Sequence, residues 1–432
     1  MLSPAELDLA RRDEAVPGLA TVLDAEAFVA ALRRAAPDAD LRSARITYQR
    51  YKPQRFARVA YLADVGGAEV DLDVRACRPD DLARWVEDGR PARVPGPLGP
   101  GRIVLDDCAV VVTVFPNDLK LPALQHLADP VKRKRALREL LPGCPNLWQG
   151  GLHRLRYRPE RRYVAQLRAA DGTQALLKAY TEKAYVRGTR NAHAFKSRGP
   201  LRIARVLGRS DHRRLLAFEW LPGRVLMEFC AAPETNGAAV SGAGAALATL
   251  HAQDPADLTE WTRDAEAADV VALGNEIGFI CPQLARRADD LAQRLAVKLS
   301  AAPAMRCALH GDFSANQVLV GETEVAIIDL DWACCGDPAD DLGNFLAQAE
   351  RIALRGGMSS ARLESVREAL LEGYARATGH PAPERVGLYT ALEVFRRTRF
   401  PFRAREPEWA QRTEALLERA GELFNNVPQA TP

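Results

Sequence analysis

The chain has 432 residues, of which 47% are apolar, enough for two or three ordinary domain cores; a short peptide, a fibre and a disordered regulator are excluded. Lys and Arg number 59 against 56 Asp and Glu, a net charge of +3, and the 27% charged residues are spread along the chain as solvated surface. No nucleic-acid partner is expected from that balance. The N-terminus MLSPAELDLARRDEA carries acids where an export signal needs a basic start and an apolar core. Eight cysteines without metal-ligand spacing, including adjacent Cys334 and Cys335, fit buried thiols in a reducing cytoplasm. The uncharged run from Thr235 to Gln253 contains three glycines and several polar residues. It reads as a small-residue helix, so no membrane partner is expected.

The layout in chain order is a helical segment over 1–40, a β-rich module over 41–128, a helical linker over 129–150, a second β-rich module over 151–224 and a helical domain over 225–432. The two β modules match at a single offset of 106: Arg50, Tyr51, Pro53, Arg55 and Gly66 fall on Arg156, Tyr157, Pro159, Arg161 and Gly172, and Pro116 falls on Pro222. Each reads as three antiparallel strands followed by a further strand, Val110 to Phe115 or Leu215 to Trp220, that ends at the Pro. At the same offset Leu72 falls on Lys178, so the first copy would lack that lysine. Four prolines in RPARVPGPLGPG also deny it the helix that Thr181 to Ser197 can form. Between the copies, Asp129 to Gly143 begins with a capping Asp and a Pro and ends at Pro-Gly, the pattern of a helix. Beyond Pro233, helical spacing marks Ala238–His251, Pro282–Leu299, Asp340–Arg355, Ala361–Ala377, Pro383–Arg399 and Glu408–Phe424.

One strand-like island interrupts that helical half: CALHGDFSANQVLVGETEVAIIDLDWACCGDPADDLGNFLA, from Cys307 to Ala347. Strands at Val318–Val320 and Val325–Ile328 form a hairpin around Gly321, with Asp312 before it and Asp329 at its end. Two carboxylates and the Gln317 amide are hard oxygen ligands of the kind Mg²⁺ uses when substrate phosphates complete its shell. Phosphoryl transfer needs an Asp to accept the nucleophile's proton, oxygens to hold metal, and a Lys to steady phosphates. His310 reads as a packing and hydrogen-bonding residue of the loop, and Asp331 as a surface or supporting acid.

On these residues the sequence resembles the aminoglycoside phosphotransferase and choline kinase-like superfamily, the small-molecule relatives of protein kinases, over roughly residues 152–424. HGD, the amide five residues on, IID and GDPADDL carry the resemblance. The Gln-type loop is similar to that of maltokinase-like and glucosamine kinase-like members. The resemblance implies an α+β, bilobal protein-kinase-like fold, a β-rich N-lobe and a helical C-lobe, preceded here by a degenerate duplicate of the N-lobe sheet. It implies ATP and Mg as cofactors. Asp312 would be the catalytic base, Gln317 and Asp329 the metal ligands, and Asp341 a buried acid supporting the loop. Lys178 would meet the α- and β-phosphates, and the segment containing Glu219 and Leu221 would meet adenine through its backbone.

The sequence departs from the family pattern in three places. Gln317 stands where Asn is usual, with Asn316 one place early. The turn RPERR replaces a Gly-rich loop, which would bring Arg161 and Arg162 toward phosphate in place of backbone amides. Glu182 is the only acid between Ala179 and Arg209 that could pair with Lys178. The expected activity is transfer of the γ-phosphate to a hydroxyl of a small molecule, with a pseudokinase-like scaffold as the alternative. Retention of Asp312, Gln317, Asp329 and Lys178 together favours catalysis. Arg396, Arg397, Arg399, Arg403 and Arg405, interleaved with aromatics, point to a neutral or anionic, sugar-like acceptor if they face the cleft. The first β module is expected to bind no nucleotide and to serve as a cap or a dimer contact.

Overall fold

Ser3 starts the first helix with a reciprocal cap, its hydroxyl accepting the Glu6 N–H while the Glu6 carboxylate accepts the Ser3 N–H. The computed structural model describes residues 1–86, 94–231 and 237–427. Helices α1 (Pro4–Arg12), α2 (Leu19–Leu23) and α3 (Ala25–Ala35) lead into β1 (Leu41–Lys52), β2 (Phe56–Val65) and β3 (Ala68–Cys77). After α4 (Leu82–Val86) come β4 (Arg102–Leu105) and β5 (Val110–Val114), and these five strands form one antiparallel sheet in the order β1-β2-β3-β5-β4. Part of the proline-rich segment, residues 90–93, lies outside the described residues. Tyr61 on β2 stacks on Phe28 of α3 with ring centroids 4.2 Å apart, fixing the helix on the sheet.

Next come α5 (Ala123–Ala128) and α6 (Pro130–Leu140), the latter opened as expected by the Asp129 carboxylate accepting from Val131 and Lys132 N–H. Strands β6 (Gly151–Arg158), β7 (Arg162–Arg168) and β8 (Gln174–Tyr180), helix α7 (Glu182–Asn191), and strands β9 (Leu201–Arg202), β10 (Val206–Ser210) and β11 (Leu215–Glu219) follow. The second sheet runs β6-β7-β8-β11-β10, the same order of first, second, third, fifth and fourth strand as the sheet before it.

Strand register corrects one expectation. Lys52 pairs with Phe56 and Arg158 with Arg162, so the first two strands of each sheet do stand 106 residues apart. Leu62 then pairs with Asp71 but Arg168 with Gln174, so the second hairpin turns back three residues sooner. Lys178, opposite Val164, therefore corresponds to Arg75, opposite Arg58, and not to Leu72. A fixed offset cannot register a shortened turn.

The remaining elements are β12 (Arg224–Val225), α8 (Leu226–Ala231), α9 (Ala238–His251), α10 (Arg263–Ile280), α11 (Ala285–Ala301), β13 (Cys307–Leu309), β14 (Val318–Val320), β15 (Val325–Ile327), β16 (Cys334–Gly336), α12 (Pro338–Leu354), α13 (Ser360–Thr378), α14 (Val386–Arg397), α15 (Phe400–Arg403) and α16 (Trp409–Asn425). Six of these helices fall where helical spacing put them. Helix α10 has no counterpart in the sequence reading: its buried face carries Glu266, Gly274 and Glu276, while Val271 and Phe279 lie off it, so no clean apolar stripe marks it. The small residues of α9 have a packing reason. A Cβ on Gly244 would stand 2.2 Å from the Leu370 carbonyl oxygen of α13, and one on Gly373 would stand 2.0 Å from that of Ser241. No helix among the described residues is long and apolar enough to cross a membrane.

The chain divides into two compact units: residues 1–185, 207–217 and 403–406 form the first, and the remainder the second. The first sheet lies within the first unit, as does the second sheet except for Val206, Phe218 and Glu219 at its strand ends. Leu124 and Leu127 of α5 and Leu137 and Leu140 of α6 share one core with Ala165 and Leu167 of β7 and Leu177 of β8.

Candidate active site

Within the second unit, the segment GDPADDL assembles the loop that carries Asp312. A Cβ on Gly336 would press on Leu309 across the β13–β16 pair. Asp337 caps α12 by accepting the Ala339 N–H at 3.0 Å, and Pro338 takes the first helical position, where a missing N–H costs nothing. The Asp337 carboxylate also pairs with Arg263 at 3.0 Å and Arg385 at 2.7 Å.

One face of α12 then grips the loop step by step. Asp341 accepts the His310 N–H at 2.7 Å and the Gly311 N–H at 2.9 Å, Asn344 donates to the Phe313 carbonyl at 2.9 Å, and Gln348 accepts the Ala315 N–H at 2.9 Å. Positions 341, 344 and 348 share a helix face, so successive turns of α12 hold residues 310 to 315. Gly311 has φ +75°, and a Cβ there would stand 2.2 Å from the Trp332 carbonyl oxygen. Only glycine suits that position.

His310 is fully buried, with Nε2 2.9 Å from the Ile328 carbonyl and Nδ1 accepting the Asp312 N–H at 3.2 Å. These two contacts tie the loop to the residue before Asp329. Asp329 itself has φ +66°, an uncommon conformation for a residue with a side chain. The turn after it is held by Asn191 of α7, whose Nδ2 donates to the Leu330 and Ala333 carbonyls at 3.2 and 2.9 Å. Asp331 in that turn is buried and so is not a surface acid.

Gln317 Nε2 donates to Asp312 Oδ2 at 3.0 Å, and Gln317 Oε1 accepts from the Ser314 hydroxyl at 3.3 Å. Asn316 is exposed. Asp312 presents accessible surface, yet the protein packed around it desolvates its carboxyl and raises the pKa above the ordinary aspartate range; the nearby Asp329 charge adds to this, while His310, the Gln317 hydrogen bond and Arg397 oppose it. Asp341 goes the other way. Burial alone would raise it, but hydrogen bonding and charge from His251 and His310 hold it below its usual value. His251 Nε2 lies 3.0 Å from Asp341, and its Nδ1 lies 3.0 Å from the Tyr374 hydroxyl. Sequence reading passed over His251 because it stands at the end of a helix with nothing nearby to mark it.

In the first unit, Lys178 is buried on β8. The Glu219 side chain accepts from Arg202 and Arg205 at 2.5 Å each, and its N–H donates to the Arg205 carbonyl. That backbone donor is engaged, which leaves the Glu219 carbonyl and the Leu221 backbone as the groups named for adenine. Arg161 hydrogen-bonds the Tyr48 side chain.

Three of the five arginines read as acceptor-side are already paired within the fold. Arg396, partly buried, lies between Glu393 at 2.6 Å and Glu266 at 3.1 Å, and buried Arg397 is bound to Glu393 and to the Asn344 carbonyl. Arg405 pairs with Glu6 at 2.9 Å. Their charges are neutralised within the fold. Beside Arg396's partner Glu266, a cavity of about 150 Å³ is lined by Trp261, Arg263, Met305, Asp340 and Tyr389, among others.

A protein-kinase-like α+β fold with a histidine-locked Asp loop, an amide and a second Asp defines a small-molecule kinase. The model of the phosphotransferase enzyme family matches residues 144–389, more than half of the chain, and the protein belongs to that family. No curated protein matches it by sequence. Solved structures similar to it include a choline/ethanolamine kinase family protein from Mesorhizobium loti (17% identity, 70% of this chain and 96% of that one, TM-score 0.45). A macrolide 2'-phosphotransferase from Brachybacterium faecium has 19% identity, covering 65% of this chain and 93% of that one, with a TM-score of 0.41. An aminoglycoside phosphotransferase in complex with ADP and hygromycin B has 19% identity, covering 63% and 94%, with a TM-score of 0.43.

Proposed function

We propose that the protein transfers the γ-phosphate of ATP to a hydroxyl of a neutral, sugar-like small molecule. The observation that carries this reading is the assembly of Asp312, Gln317 and Asp329 on one loop and hairpin held by α12. Asp312 takes the acceptor's hydroxyl proton, the freed oxygen bonds to the γ-phosphorus, and the bond from that phosphorus to the β–γ bridging oxygen breaks to release ADP. Its raised pKa suits a base that must hold a proton in passing. Lys178, Arg161 and Arg162 are assigned to the phosphates, and the Glu219 and Leu221 backbone to adenine.

The donor set fits a hard cation. Among the described residues no three His, Cys, Asp or Glu side chains gather as a closed metal centre. Two carboxylates with one amide oxygen match the open arrangement Mg²⁺ takes when phosphates supply the remaining ligands. Gln317 Oε1 and the Asp329 carboxylate would hold it, and when bound it would neutralise charge on the β- and γ-phosphoryl oxygens.

For the acceptor, the pairing of Arg396, Arg397 and Arg405 with internal carboxylates favours a neutral sugar over an anionic one. The test is transfer from γ-labelled ATP to a panel of sugars, aminosugars and amino alcohols. Labelling of neutral sugars with Mg²⁺, abolished by EDTA, is expected; selective labelling of polycationic aminoglycosides with sugars inert would refute the acceptor class.

A further inference from the structure

The turn joining β6 to β7, RPERR from Arg158 to Arg162, belongs to the second sheet, yet its central side chain is held by the first. Glu160 has φ +50° and a side chain only 1% exposed. Its carboxylate makes a two-pronged pair with Arg58 of β2 at 2.6 and 2.7 Å, meets Arg75 of β3 at 3.3 Å and meets Lys120 at 2.9 Å. Its N–H donates to Asp118 at 2.7 Å, and the same oxygen accepts the Tyr157 hydroxyl at 2.9 Å. Asp118 is in turn fixed by the Lys120 and Leu121 N–H groups. Asp73 completes the cluster, pairing with Arg58 at 2.9 Å. Arg58, Arg75 and the half-exposed Lys120 converge on Glu160, Arg58 also serves Asp73, and Asp118 is held by N–H and hydroxyl donors.

The neighbours of Glu160 are also tied to the first sheet. The Arg158 guanidinium lies over the Tyr48 ring at 5.5 Å, and Arg161 hydrogen-bonds the Tyr48 side chain. Arg75, which stands at the register position of Lys178, is thus spent on a carboxylate and packed between Phe56 and Trp85. The cavity left beside it is about 10 Å³. That is room for about one water, and no nucleotide could enter it.

We propose that the first sheet is a positioning device for the phosphate-covering turn, acting through Glu160. Arg58, Arg75 and Lys120 grip that carboxylate and so hold the turn in its left-handed conformation, with Arg162 presented to phosphate. Glu160 is a positioning residue and touches no substrate. The inference rests on the nucleotide reading given above, and its test separates the two.

The first readout needs no nucleotide: amide hydrogen exchange across residues 158–162 in full-length Glu160→Gln and Lys120→Ala. Lys120 is half exposed, so its variant keeps the fold should Glu160→Gln lose it. Exchange in the turn should rise by about tenfold or more, with exchange at 307–336 unchanged. The second readout is kinetic: KM for ATP should rise about fivefold with kcat within about twofold, and Lys120→Arg should restore it. Unchanged exchange and unchanged KM in folded variants would overturn the proposal. A wild-type protein that transfers no phosphate while its variants still loosen the turn would sink the nucleotide reading and leave the grip standing.

Discussion

At the residue scale, Asp312 carries the heaviest assignment. Asp312→Asn should lower turnover by about 10² or more with ATP affinity nearly unchanged, since a positioned base contributes about 10²–10⁴; steady-state kinetics beside calorimetry with ATP would show both. The pH dependence follows from the direction of its shift. A base must be unprotonated, and a raised pKa keeps the proton on to higher pH, so kcat/KM should fall on acidification with a midpoint above the ordinary aspartate value of about 3.9. A limb at or below that value would contradict the assignment. Gln317 touches Asp312 whereas Asn316 is exposed, so Gln317→Ala should inactivate and Asn316→Ala should not. The reverse pattern in an activity assay would move the amide role to Asn316. Asp312, Gln317 and Asp329 were legible because their spacing is local to one loop and hairpin. His251 was not, since its partner Asp341 lies 90 residues away and only the fold joins them.

At the element scale, α12 holds the loop through one face, and its residues are not interchangeable. Asn344→Ala would leave the Phe313 carbonyl without its donor and remove the side-chain acceptor, though not the backbone carbonyl, from Arg397, so a loss of about 1–3 kcal/mol is expected, together with slower turnover. Chemical denaturation and kcat on the same sample check it; a wild-type kcat would mean the loop needs no help from Asn344. Helices with a clear apolar face and signalled ends were readable from sequence. Helix α10 was not, because glutamates occupy its buried side, where Glu266 meets Arg396. The same pairing was hidden from the sequence: Arg396 stands in a string of arginines, and its partner Glu266 lies 130 residues away.

At the scale of the whole molecule, the match at offset 106 pointed to two similar sheets, and their strand orders agree. What one fixed offset hid was the three-residue slip that brings Arg75, not Leu72, to the lysine's register. Residues 1–150 are tied to the kinase half at two levels, the Glu160 grip and the core shared by α5, α6 and the second sheet. Gly151–Pro432 expressed alone should therefore aggregate or bind ATP poorly; a soluble, fully active fragment would show these ties to be dispensable. The shared core has a further consequence for recombination. Residue 150 looks like a natural crossover point, since a helical linker ends there and a new sheet begins. A chimera joined at that point would set α5 and α6 of one parent against β7 and β8 of another, with leucines shaped for a different floor. Exchange between relatives should yield folded progeny only when the crossover keeps residues 121–180 from a single parent.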